Sequence, residues 1–287
     1  MNKLFVFTLL VLLSAGFSNL SAQQDSAASA LYKITLSDGS ELFGTVQSES
    51  GAEIKFTTVS KVEMTISKHQ IRSMEKTSNK IVNGEIRRSD PNKTRLFFAP
   101  TARSLKSGQG YFSDYELFFP MIAVGVGNVV TLAGGVSLIP GASGQAIYLA
   151  PKVTPLHVKN ADVAAGVLYI SIPDDHDSWN VGIAYGVGTY GTDEAALTFG
   201  LGWGFTEGDF ANKPIVLLGG ELRLSNSVKL ISENWIPPSS DFALASIGIR
   251  FFGDQLAADL ALVTPLGART TGFPFMPWVG FVYNFGM

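Results

Sequence analysis

From Arg95 to the C-terminus, bulky residues alternate with small or polar ones, and the joints between the alternating stretches themselves alternate in length. Short joints fall at Gly127 and Asn128, Lys159 and Asn160, Thr192 and Asp193, Ser225 and Asn226, and Gly253 and Asp254. Longer polar joints fall at 105–110, 141–144, 173–178, 207–213, 237–241 and 266–275. A period of two is the mark of strands with two unlike faces. A strand series with a short-turn end and a long-loop end describes an up-and-down barrel that crosses a membrane.

The alternation predicts twelve strands, near 95–103, 111–127, 129–140, 145–158, 161–172, 179–191, 195–206, 214–224, 227–236, 242–252, 255–265 and 277–287. An even number brings both barrel ends to one side, and the short turns then face the periplasm. In one strand Leu197, Phe199, Leu201, Trp203 and Phe205 share a face, against Thr198, Gly200, Gly202 and Gly204. The preceding strand sets Val181, Ile183, Tyr185 and Val187 against Gly182, Ala184, Gly186 and Gly188. A soluble sandwich would place charges where these glycines stand, so both bulky faces are expected to meet lipid. Charged residues are only 16% of the chain, below the usual quarter. No later segment offers the ~20 uninterrupted apolar residues of a membrane helix, and hydrocarbon admits only helices and closed barrels.

The N-terminus differs. Lys3 precedes an apolar run over 4–13, and Leu20, Ser21 and Ala22 precede Gln23, so residues 1–22 read as a secretory signal peptide. The chain has no cysteine, which excludes disulfides, thiol catalysis and a lipoprotein anchor. A net charge of −3 gives no electrostatic case for a nucleic-acid partner. Residues 30–76 read as about five short strands, opened by Ile34, Thr35 and Leu36, a turn at Asp38 and Gly39, and a second strand from Glu41. Residues 77–94 are polar and basic, and read as a linker able to touch a membrane surface.

Two resemblances follow from these residues. The segment ITLSDGSELFGTV with VEMTISKHQIRSME resembles the SH3-like or Sm-like small β-barrels, which host many functions. Residues 95–287 resemble bacterial outer-membrane β-barrel proteins. Val279, Phe281, Tyr283 and Phe285 share a face of the last strand, which resembles the C-terminal signal read by the barrel-assembly machinery; Gly286 and Met287 follow where that pattern ends on an aromatic. The expected fold is therefore all-β: a transmembrane antiparallel up-and-down barrel of about twelve strands in the outer membrane, preceded by a small SH3-like domain in the periplasm. The lipid bilayer, the assembly machinery and a periplasmic partner of residues 30–76 are the expected partners.

Charges within the strands are few. Glu221 and Arg223 oppose Val216, Leu218, Leu222 and Leu224; Arg250 opposes Ala245, Ile247, Ile249 and Phe251; Asp259 lies on an alanine-rich face; Lys152 and Glu233 lie mid-strand. An Arg or Lys on the lipid face costs about 2–4 kcal/mol at the midplane, so all six are expected in the lumen. They either line a channel for small solutes or form an ion-pair network that plugs and rigidifies the barrel, leaving the small domain to bind a partner or the cell wall. Placing Glu233 inward also turns Ile231 and Trp235 inward, which suggests a bulge there. Asp174, Asp175, His176 and Asp177 could hold a divalent cation, and His176 with Ser178 is the sole pair suited to a surface hydrolase. The chain is nonetheless expected to be no enzyme and to need no cofactor or metal.

Overall fold

A computed structural model describes residues 31–77, 79–82, 85–173, 178–207, 209–238, 242–267 and 273–286. The expected signal peptide and the Asp174–Asp177 loop with His176 lie outside the described residues. The chain divides between Ser89 and Asp90 into two compact units. The boundary cuts through the expected 77–94 linker: residues 77–89 belong with the small unit, and 90–94 with the barrel.

The small unit is a five-stranded antiparallel sheet of β1 (Leu31–Leu36), β2 (Glu41–Glu49), β3 (Glu53–Thr58), β4 (Glu63–Ser67) and β5 (Ile71–Lys76), in the order β4-β3-β2-β1-β5. A short hairpin, β6 (Lys80–Val82) and β7 (Glu85–Arg87), follows. Alternation gathers Ile34, Phe56 and Ile66 into the core, with Tyr32, Leu42 and Met64 around them. Each such side chain contributes about 1.5–3 kcal/mol by leaving water. Strand β2 crosses β3 closely at Gly44, where a Cβ would stand 2.0 Å from the Thr57 carbonyl oxygen. In the exposed β1–β2 turn, the Ser40 N–H donates to Asp38 and holds that carboxyl below its ordinary range.

The barrel wall begins with β8 (Gly110–Tyr115), β9 (Phe119–Val126), β10 (Val130–Val136), β11 (Ile147–Leu149), β12 (Lys152–Val158), β13 (Ala161–Pro173) and β14 (Ser178–Gly191). It continues through β15 (Ala195–Thr206), the two-residue β16 (Asp209–Phe210), β17 (Ile215–Ser225), β18 (Val228–Ile236), β19 (Ala243–Phe252), β20 (Leu256–Leu266) and β21 (Met276–Phe285). The antiparallel ladder returns on itself through β21–β8 and β9–β10. Strands β11 and β12 both pair with β10 and β13, so they are two halves of one wall strand. The barrel thus closes with twelve wall strands.

Two corrections leave that number unchanged. Residues 95–103 are not a wall strand; they run inside the barrel. The expected single strand over 111–127 is instead a hairpin, β8–β9, turning at Glu116 and Leu117 with φ of 53° and 64°. Non-glycine residues seldom adopt this left-handed geometry, so the sequence carries no turn signal. Glu116 is held there by exchanging hydrogen bonds with Val279: its N–H donates to the Val279 carbonyl, and its Oε1 accepts the Val279 N–H at 2.7 Å. The expected long loop 105–110 lies at the short-turn end, where the Ser104 hydroxyl and the Ser107 N–H bond Asn128.

Strand β14 also faces the other way. Four residues, 192–195, join its last ladder pair, Gly191 and Ala196, so odd positions of β14 oppose even positions of β15. Directly opposed residues share a face. Ile183, Tyr185 and Val187 therefore lie inside against Gly204, Gly202 and Gly200, while Leu201 and Phe199 lie outside against Gly186 and Gly188. Large meets small on both faces. Gly166 on β13 completes the fit, since a Cβ there would stand within van der Waals overlap of the Tyr185 ring.

Candidate functional site

Part of the chain itself lies in the lumen. Residues 90–105 fold into a hairpin, with Leu96 N–H bonded to Ala99 O and Thr101 N–H to Thr94 O. Its root lies at the short-turn end, where the Asn92 and Asn284 amides exchange hydrogen bonds at 2.9 and 3.2 Å. Its tip, Phe97 and Phe98, reaches inward. Leu96, Phe97 and Ala99 pack against Leu217, Ile231 and Ala261 of the wall, while Phe98 meets Tyr115 and Trp278 edge-on. This plug is why Ile231 and Trp235 face inward: they are its packing surface. The β18 ladder runs through them without a register shift, so the expected bulge is absent.

All six charged residues singled out in the sequence lie on the inward face, but they do different things. Glu233 grips the tip: its Oε2 accepts the N–H groups of Phe97, Phe98 and Ala99 at 2.9, 2.9 and 3.0 Å, and its Oε1 accepts the Trp235 indole N–H at 2.8 Å. Lys152 is the converse. Its ammonium donates to the carbonyls of Thr94, Thr101 and Arg103 at 3.1, 2.8 and 2.7 Å. Each ion is matched to backbone dipoles, so the peptide groups of the plug are satisfied without a ladder partner.

Arg250 and Asp259, both 0% exposed, form the centre of an ion network. Arg250 Nε donates to Asp259 Oδ1 at 2.7 Å, and its other nitrogens reach Asp90 and the carbonyls of Asn92, Arg95 and Leu96. Arg95 donates to the second Asp259 oxygen at 2.6 Å. Lys229 joins Asp90 to Glu221 at 3.0 Å each, and Arg103 reaches Glu221 at 2.9 Å. Arg223 stands apart at the short-turn rim, near Glu194 and over the Phe252 ring. Buried ion pairs of this kind add little net stability, yet removing one partner costs about 3–5 kcal/mol. Their effect is to fix the placement of the plug.

Half of this network was hidden from sequence reasoning. Asp90, Asn92, Arg95 and Arg103 sit in segments that read as linker and first strand, and Lys229 stands outside the six charges that the strand pattern singles out. The available signal was the charge pattern: Arg95 and Arg103 are too costly for a lipid-facing strand, and five wall strands hold carboxylates or cations that need partners.

Between the plug and the β8–β14 side of the wall, a cavity of about 70 Å³ is bounded by Arg95, Tyr111, Lys152 and Tyr185; this is room for a few waters. No group of three or more His, Cys, Asp or Glu suited to a metal occurs among the described residues. The outer surface is apolar, with Phe112, Ile122, Leu132, Val163, Phe199, Leu260 and Phe281 exposed around the wall.

No protein-family model matches the sequence, and no curated protein matches it. Among solved structures the chain is similar to the KdgM porin, with 9% identity over 61% of this chain and 96% of that one and a TM-score of 0.45. It is also similar to OmpT, an outer membrane protein of Vibrio cholerae, with 12% identity over 89% of this chain and 95% of that one and a TM-score of 0.34. The fold itself rests on the closed ladder and its apolar girdle: the chain is a β-barrel of the outer-membrane type.

Proposed function

We propose that this protein is a closed outer-membrane barrel that anchors the small β domain of residues 31–89 in the periplasm, where that domain binds a periplasmic partner or the cell wall. One observation carries the reading. The lumen charges expected to line a water path are instead engaged with the plug, by the Glu233 and Lys152 contacts to its backbone and by the Arg250 network. A pore that selects solutes by charge needs charged side chains that face water. The periplasmic location is supported by the short-turn end, which in bacterial barrels faces the periplasm and to which the chain preceding β8 returns.

The test is planar-bilayer recording on folded protein. The intact chain is expected to give no sustained current, and a variant lacking residues 93–102 is expected to conduct. A steady open-channel current from the intact chain refutes closure. For the anchored domain, a periplasmic partner should be captured by the full chain and lost on deletion of residues 31–89, with the barrel still folded. Unchanged capture after that deletion refutes the binding role.

A further inference from the structure

A cavity of about 1050 Å³ lies on the outer face of the barrel rather than in its lumen. Ile231 and Glu233 face the plug, so alternation along β18 puts Ser232 and Asn234 on the outside. Successive ladder partners Gly188, Phe199, Leu218, Asn234, Ala245 and Thr264 run across the strands through this cavity. The wall is indented beside that line at β17 and β18, between Phe199 of β15 and Ile247 of β19. Ser232 on the floor is 3% exposed, beside a buried Gly220, whereas Phe199 and Ile247 on the two rims are 52% and 42% exposed. A volume of this size is at the upper end of small-molecule sites, ~300–1,000 Å³.

We propose that this trough holds a hydroxylated acyl chain of an outer-membrane lipid. The trough sits between the two ends of the strands, within the surface that meets hydrocarbon, and its rims are apolar. Its floor is not: Asn234 Nδ2 donates to the Leu218 carbonyl and to Ser232 Oγ, while Asn234 Oδ1 accepts only a long 3.4 Å bond from the Ser246 N–H. An amide oxygen facing hydrocarbon without a good donor is costly. A hydroxyl on a chain lying in the trough supplies that donor. A second copy of this protein fits less well. A two-fold contact would set one trough against the other, and two concave faces cannot reach the packing density of a protein interface.

Native mass spectrometry of the full chain tests this. Folded protein is mixed with micelles of phosphatidylglycerol carrying two myristoyl chains, or one myristoyl and one 3-hydroxymyristoyl chain. The hydroxylated lipid is expected to be retained at least tenfold more. Asn234→Leu should abolish the preference while keeping retention. Ser232→Phe should fill the trough and remove retention of both, with heat-modifiable migration confirming a folded barrel; Ala245→Phe fills it from the next strand if Ser232→Phe does not fold. Equal retention of the two lipids by the unaltered chain, retention of neither, or a lipid-free dimer overturns the proposal.

Discussion

Glu233→Ala is the sharpest probe of the plug. The carboxylate accepts three N–H groups of the tip and one indole N–H, all between 2.8 and 3.0 Å, and the residue is buried. Hydrogen bonds to a charged group contribute roughly 1.5–3 kcal/mol each, but four bonds to one group are not additive, and removal of the ion also ends its own desolvation cost. What remains is the cost of two buried amides and one partly buried amide without an acceptor, on the order of 3–5 kcal/mol in total. The twelve-strand ladder makes none of these bonds, so the loss should fall on the tip and not on the wall. In hydrogen exchange, the amides of Phe97, Phe98 and Ala99 should exchange roughly a hundred- to several-thousand-fold faster, with β17–β20 unchanged. Glu233→Gln retains an acceptor oxygen but turns an amide N–H toward the Trp235 donor, so its effect should be smaller. Unaltered exchange at the tip in Glu233→Ala would show that the carboxylate does not hold the plug.

Three further outcomes are expected. Lys152→Met leaves the Thr101 and Arg103 carbonyls without a donor, while Thr94 O keeps the Thr101 N–H, and should destabilise the 90–105 segment by about 2–5 kcal/mol, read as a flickering current in planar bilayers where the intact chain is silent. Gly44→Ala places a Cβ 2.0 Å from the Thr57 oxygen; it should unfold the small domain, detected as protease sensitivity of residues 31–89, while heat-modifiable migration of the barrel is unchanged. Leu117→Gly relieves a left-handed residue that is 63% exposed, a strain of about 1–2 kcal/mol partly offset by glycine's greater entropy loss of about 0.5–1 kcal/mol, so the temperature of the migration shift should rise slightly.

What the sequence disclosed depended on which interactions were local. Strand identity was legible because alternation is local: Glu221 against Leu222 and Arg250 against Ile249 show their facing without a partner. Short turns were legible where glycine or asparagine marks positive φ, as at Gly127 and Asn128, both at 60°. The β8–β9 turn was not, because Glu116 and Leu117 are kept in a left-handed conformation by the non-local contact with Val279. The facing of β14 was recoverable in principle: a four-residue joint after Gly191 couples odd positions to even ones, and that parity contradicts two bulky faces in lipid. The plug was beyond local reading. Residues 90–105 have neither the alternation of a wall strand nor the character of a solvated linker, and their structure comes from wall residues that lie far along the chain, such as Glu233 and Asp259.

The order of the chain gives the plug a consequence for biogenesis. Its residues precede every wall strand, and the seam that seals the cylinder joins the first wall strand, β8, to the last, β21. Were the seam to zip around an empty interior, Lys152 and Glu233 would be shut in without the plug backbone that they hold, and the Arg250–Asp259 and Lys229–Glu221 pairs would lack Asp90, Arg95 and Arg103. Insertion of the hairpin before sealing spares these groups that exposure, so a chain lacking residues 93–102 should still seal through the β21–β8 ladder but more slowly than the intact chain.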